Sequence, residues 1–207
     1  MPKYIRWIGR IVLVVAILYL VIQAAGVLVF GPTWTQHYTK KDLITNYENR
    51  KSAILAVKDY FATIVPADKR VYIEFEDSHT LDRLDISSVD SATGRGIGPS
   101  FTQWNLSTTS PQVDSILSAL HWTQDTLRHL KHKLDLAFCI SICNGEPCEI
   151  GFQRSGTGMY VYQIFSKPIP DSLKGAYNNG CSDIIYNPTV VLEYWGPAYG
   201  SLCFPKD

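Results

Sequence analysis

The stretch "LAFCISICNGEPCEIGFQRSGTGMYVYQIF", Leu136 to Phe165, decides the fold class. Phe138, Ile140 and Ile142 alternate with Ala137, Cys139, Ser141 and Cys143, the period of a half-buried strand. "CEIGFQR" and "MYVYQIF" follow as two more short strands, separated by "CNGEPC" and "SGTG". Asn144-Gly145 favours the positive dihedrals of a tight turn, and Pro147 stiffens the exit. Three strands joined by two short turns predict an antiparallel meander.

Working outward, "SDIIYNP" and "TVVLEYWG" add strands on the C-terminal side. On the other side, "TQDTLRHLKHKLD" predicts a helix capped by Thr123, with Leu127, Leu130 and Leu134 as its buried stripe. "PQVDSILSALHW" predicts another, begun by Pro111 and capped from among Ser107, Thr108, Thr109 and Ser110. "SATGRGIGPSFTQWNLSTTSP" reads as a loop by its small and polar composition. "KRVYIEFED" is a strand with Val71, Ile73 and Phe75 inward, and "LDRLDISSVD" a second with Leu84 and Ile86 inward. A helix is predicted from a Thr39 cap, paired with Asp42, to about Val65, where Pro66 ends it. Its 3.6-residue period is interrupted by "ENRK", residues 48–51. The expected fold is α+β, a mostly antiparallel sheet with two or three helices.

The first thirty residues read differently. Ile11 to Phe30 is an uncharged run of twenty residues, preceded by Lys3, Arg6 and Arg10. A helix of that length matches a hydrocarbon core of about 30 Å. The expectation is a transmembrane signal-anchor contacting the lipid bilayer through residues 11–30. Residues 1–10 form a basic cytoplasmic flank, 31–38 a juxtamembrane linker, and 39–207 an extracytoplasmic domain of a single-pass cell-membrane protein. A cleaved signal peptide ending near "QAAG", Gln23 to Gly26, is the alternative. Past residue 30 the chain carries 16 basic and 19 acidic residues, a balance unsuited to nucleic acid.

All five cysteines lie between Cys139 and Cys203. If the CNGEPC turn closes a hairpin, Cys143 and Cys148 face each other, within bridging range. Cys181–Cys203 is the preferred second disulfide bond, which leaves Cys139 as a buried thiol. Cys139 paired with Cys181 or with Cys203 stays open.

No motif names a catalytic residue, a cofactor or a metal. C-x₄-C is not the spacing of a redox pair, and no histidine near it completes a zinc site. His129 and His132 could share a helix face, but Arg128, Lys131 and Lys133 oppose a cation there. "GRGIG" lacks the Lys-Ser/Thr of a phosphate loop. The acidic residues from Glu74 to Asp90 miss the spacing of a calcium loop. Gln153, Arg154, Tyr160, Tyr162, Tyr194 and Trp195 have the composition of a binding surface.

The segment carrying "GFQRSG", "KPIPDSL" and the final "CFP", within residues 120–205, resembles a group of uncharacterised bacterial envelope proteins. The resemblance implies an envelope setting and no catalytic residue. The function expected is a non-enzymatic module that binds a protein or an envelope component. A small cell-envelope hydrolase is the alternative.

Overall fold

The structure, a computed structural model, describes residues 3–30, 38–90, 96–155, 158–196, 200–201 and 203–205. In chain order the elements are α1 (Lys3–Phe30), α2 (Lys40–Ile64), β1 (Lys69–Phe75), β2 (Thr80–Val89), β3 (Gly96–Ser107), α3 (Pro111–Ala119) and α4 (Gln124–Ala137). They continue as β4 (Ser141–Cys143), β5 (Cys148–Ser155), β6 (Gly158–Ile164), α5 (Asp171–Lys174), β7 (Asp183–Asn187), β8 (Val190–Gly196) and β9 (Gly200–Ser201). The strands form one antiparallel sheet in the order β3-β2-β1-β4-β5-β6-β8-β7, with β9 added to β8.

The helix ends follow local chemistry. Thr39 accepts from the Asp42 amide while the Asp42 carboxylate accepts from the Thr39 amide, a reciprocal cap on α2. Ser110 caps α3 and Thr123 caps α4. The polar break in α2 is real: Arg50 leaves helical geometry at φ −127° and ψ 19°. From that kink its guanidinium donates to the Leu136 carbonyl at 2.7 Å, at the C-terminal end of α4, where cations are favoured.

One face of the sheet packs against α2 and α4. Leu43, Tyr47, Ile54, Val57 and Phe61 of α2 meet Leu127, Leu130 and Leu134 of α4 in a single buried cluster. Val71, Ile73, Ile142, Ile150, Phe152, Tyr160 and Tyr162 close that cluster from the strands. Each such side chain contributes roughly 1.5–3 kcal/mol by burial.

The structure corrects several expectations. The strand predicted from Leu136 is shorter, because α4 runs to Ala137 and ends on Phe138 in the left-handed region at φ 54°. Phe138 is therefore exposed, and only Ser141–Cys143 pair as strand. The loop expected at residues 91–111 contains the twelve-residue strand β3, because pairing with β2 outweighs its small, polar composition. Gly94 and Arg95 of "GRGIG" lie outside the described residues.

The membrane expectation is also corrected. Residues 11–30 are helical within α1, but among the described residues no helix is long and apolar enough to cross a membrane. Lys3, Arg6 and Arg10, expected as a separate flank, lie inside the same helix. The transmembrane fold class, the signal-anchor and the single-pass placement of residues 31–207 fall with that finding. The linker expected at 31–38 lies outside the described residues except for Tyr38.

Candidate functional site

The sheet face opposite the helices is polar. β1 contributes Arg70, Tyr72 and Glu74 to it, alternating with the inward Val71, Ile73 and Phe75. Register shifts bring more charge to this face. On β2 the ladder jumps from Phe75↔Leu81 to Glu74↔Arg83, so Asp82 is an extra residue and Arg83 and Asp85 face outward. On β5 the jump between Gly151 and Gln153 leaves Phe152 in the core and turns Arg154 outward.

Arg154 then meets Glu74. Its Nε and Nη2 donate to the two carboxylate oxygens at 2.6 and 2.8 Å, and Nη2 also reaches Asp82 at 3.1 Å. Tyr72 donates its hydroxyl to Glu74 at 2.7 Å. Glu74 is 1% exposed, and burial pushes its carboxyl above the usual range although the Arg154 charge and the hydrogen bonds from Arg154 and Tyr72 oppose the shift. The same burial, reinforced by the Glu74 charge, holds the Tyr72 phenol well above its ordinary value.

Beside this network lies a cavity of about 360 Å³, lined by β1, β2, β3, β4, β5 and β8. Two Arg–carboxylate pairs line it. Arg70 Nη2 donates to Glu149 at 3.2 Å, and Arg83 Nη2 lies 2.5 Å from Asp85. The Arg83 guanidinium also lies 4.7 Å from the Trp104 ring centre and 5.1 Å from that of Tyr72. Two buried atoms here have no hydrogen-bond partner among the described residues, Arg83 Nε and Asp85 Oδ1. Ser100, Thr102 and Trp195 also line it.

The CNGEPC staple does not form. Cys143 lies opposite Glu149 in the ladder, not opposite Cys148. That offset of one residue sends the two side chains to opposite faces. Cys148 joins the core cluster, while Cys143 lies in the open-face cavity and accepts from Arg70 Nε at 3.4 Å. Both are free thiols, as is Cys139. Burial pushes Cys143 up to about 11 and Cys148 up to about 12, and drives Cys139 upward as well. Cys181 and Cys203 are bonded, with Cα atoms 4.3 Å apart.

The six residues expected as a binding surface separate. Tyr160 and Tyr162 are fully buried. Tyr162 donates to the Leu43 carbonyl at 2.8 Å and accepts from Asn46, so its hydroxyl serves the core. Tyr160 stacks on Tyr194 at 4.5 Å between ring centres, and Tyr194 donates to the Ser155 carbonyl at 3.2 Å. Gln153 donates to the Phe138 carbonyl. Arg154 and Trp195 alone of the six reach the open face, because strand alternation divides the set. The sequence offers no reason to single out Arg70, Arg83 and Trp104, and it presents Asp85 only within the acidic group from Glu74 to Asp90. The signal for Arg70, Arg83 and Asp85 is the polar half of the alternation in "KRVYIEF" and "LDRLDISS".

A second cavity of about 450 Å³ lies between α4 and the β1–β2 turn, lined by His79, His132, Arg128, Lys131 and Asp135 among others. Arg128 pairs with Asp125 and Lys131 with Asp135. His121 and His129 do not line it. Among the described residues no group of three or more His, Cys, Asp or Glu side chains is placed to hold a metal ion. Ser155 is buried and exchanges hydrogen bonds with the Tyr38 backbone. No protein-family model, no curated protein and no solved structure gives a significant match to the chain.

Proposed function

We propose that this chain is a non-catalytic binding module that recognises a polypeptide segment in the cavity of the open sheet face. The observation that carries the reading is the unpartnered pair, Arg83 Nε and Asp85 Oδ1. One is a donor and the other an acceptor, side by side on β2. A peptide group presents the complement, a carbonyl for Arg83 and an N–H for Asp85. A buried group without a partner costs about 1–3 kcal/mol, so a ligand satisfying both gains that much per group. Tyr72, Trp104 and Trp195 supply rigid aromatic area around the pair, the usual make-up of a binding hot spot. The two ion pairs balance in charge, which suits a neutral backbone better than a strongly charged ligand. The thiol in the cavity, Cys143, is held protonated by burial and is a poor nucleophile, which weighs against a hydrolase.

Site-specific photo-crosslinking of the full chain tests this. A benzophenone amino acid at Thr102, in cells making the protein, is expected to trap a discrete polypeptide adduct. The adduct should disappear when Arg83→Met is added, and should not form from Lys51 on the solvent side of α2. Equal labelling from Thr102 and Lys51, or labelling indifferent to Arg83→Met in a chain of unchanged stability, sinks the reading.

A further inference from the structure

We infer that the polypeptide bound in the open-face cavity carries a basic side chain, seated on Glu193, Asp183 and Gln163, a step that rests on the reading of that cavity given above. Val190 and Leu192 of β8 face the core, so Glu193 and Trp195 face the open side. The cross-strand partner of Glu193 on β7 is Asp183, and like charges placed directly opposite repel. Among the described residues neither carboxylate has an ion-pair partner. Gln163 of β6 lies beside them and is 7% exposed. Its Nε2 donates to Glu193 at 2.6 Å. Its Oε1, on the same amide, is buried without a hydrogen-bond partner among the described residues. An open acceptor is therefore buried next to two uncompensated carboxylates.

The cluster adjoins the cavity at two points. Glu149, the ladder partner of Gln163, and Trp195, two residues along β8 from Glu193, both line it. The open groups are all acceptors, so the occupant must donate hydrogen bonds and bring positive charge. Among the described residues no three acidic, His or Cys side chains are placed to hold a metal ion. An ammonium or guanidinium instead brings several N–H donors on a flexible stem. The segment's neutral backbone still meets Arg83 and Asp85, and one side chain supplies the cation. Burial, reinforced by Asp183 and Glu149, lifts the Glu193 carboxyl to about 7 against the hydrogen bond from Gln163. Tyr177, beyond α5, also faces these carboxylates, and its phenol is raised by burial and by their charges. An arriving cation favours ionised Glu193, so binding should weaken as pH falls below 7.

The test immobilises the full chain and offers it two pooled libraries of nine-residue peptides, alike except for lysine or norleucine at the centre. At pH 8 the lysine library should be retained at least tenfold more, and at pH 5 that preference should be lost. Glu193→Gln should abolish the preference at pH 8, where removing this buried charge stabilises the fold, so unfolding does not explain the loss. Asp59→Asn removes the same charge from the exposed side of α2 and should keep the preference. Equal retention of the two libraries overturns the inference. So does a preference that survives Glu193→Gln or disappears with Asp59→Asn. If equal retention is lost in Arg83→Met, the cavity reading survives without the basic side chain; if neither library is retained, both fall.

Discussion

Arg154 grips both carboxylate oxygens of Glu74 across eighty residues of chain, and Glu74 is almost wholly buried. The pair ties β5 to β1 over the intervening β4. Removing the cation leaves a buried carboxylate with Tyr72 as its one hydrogen-bond donor among the described residues. Arg154→Met is therefore expected to lower unfolding stability by about 3–5 kcal/mol near pH 7. The deficit should shrink as pH falls, because protonated Glu74 no longer requires the guanidinium. Glu74→Gln combined with Arg154→Met should cost less than Arg154→Met alone. Urea denaturation of the parent and the two variants checks all of this, and a double variant no better than the single one contradicts it.

Glu193 gives the stability curve a slope of known sign. Burial lifts its carboxyl from 4.5 to about 7, with Gln163 opposing and Asp183 adding to the shift. The folded state holds this proton more tightly than the unfolded state does. The stabilisation is therefore complete below pH 4.5 and is lost as pH rises through 7. Glu193→Gln should raise stability at pH 8 by on the order of 2 kcal/mol and change little at pH 4. Thermal melts at the two pH values decide it; a gain that is equal at both points to a different cause.

The cysteines make a chemical prediction. Three buried thiols with raised pKa values should react slowly with a disulfide reagent in the native protein. Unfolding without reductant should release all three. Cys143→Ser and Cys148→Ser should leave non-reducing mobility unchanged. Cys181→Ser should remove a bridge spanning 22 residues, at a cost of roughly 3 kcal/mol on the chain-entropy account. One released thiol instead of three would restore the hairpin staple.

Gly151 is tightly packed on the open face. A side chain there would run into Ser141 and Met159. Gly151→Ala is expected to destabilise by about 1–3 kcal/mol through overpacking between β4 and β6. Gly175→Ala, which meets open space, should stay within about 0.5 kcal/mol of the parent. A denaturation midpoint for Gly151→Ala equal to that of Gly175→Ala would show that the neighbours move aside.

What the sequence by itself determined is local. Thr39, Ser110 and Thr123 cap helices because a hydroxyl reaches an amide three residues on. Val71, Ile73 and Phe75 point inward because strands alternate, and the polar interruption "ENRK" coincides with the kink at Arg50. The tertiary structure decided whatever depends on register between strands. A single offset in β4–β5 separates Cys143 from Cys148, and two bulges turn Arg83 and Arg154 onto the open face. Pairing with β2 makes a strand of residues that read as loop. In a sheet the side-chain period is two, so one inserted residue reverses the face of everything beyond it. The cavity's donor and acceptor and the buried ion pair follow from such reversals, which no composition or spacing within a single segment records.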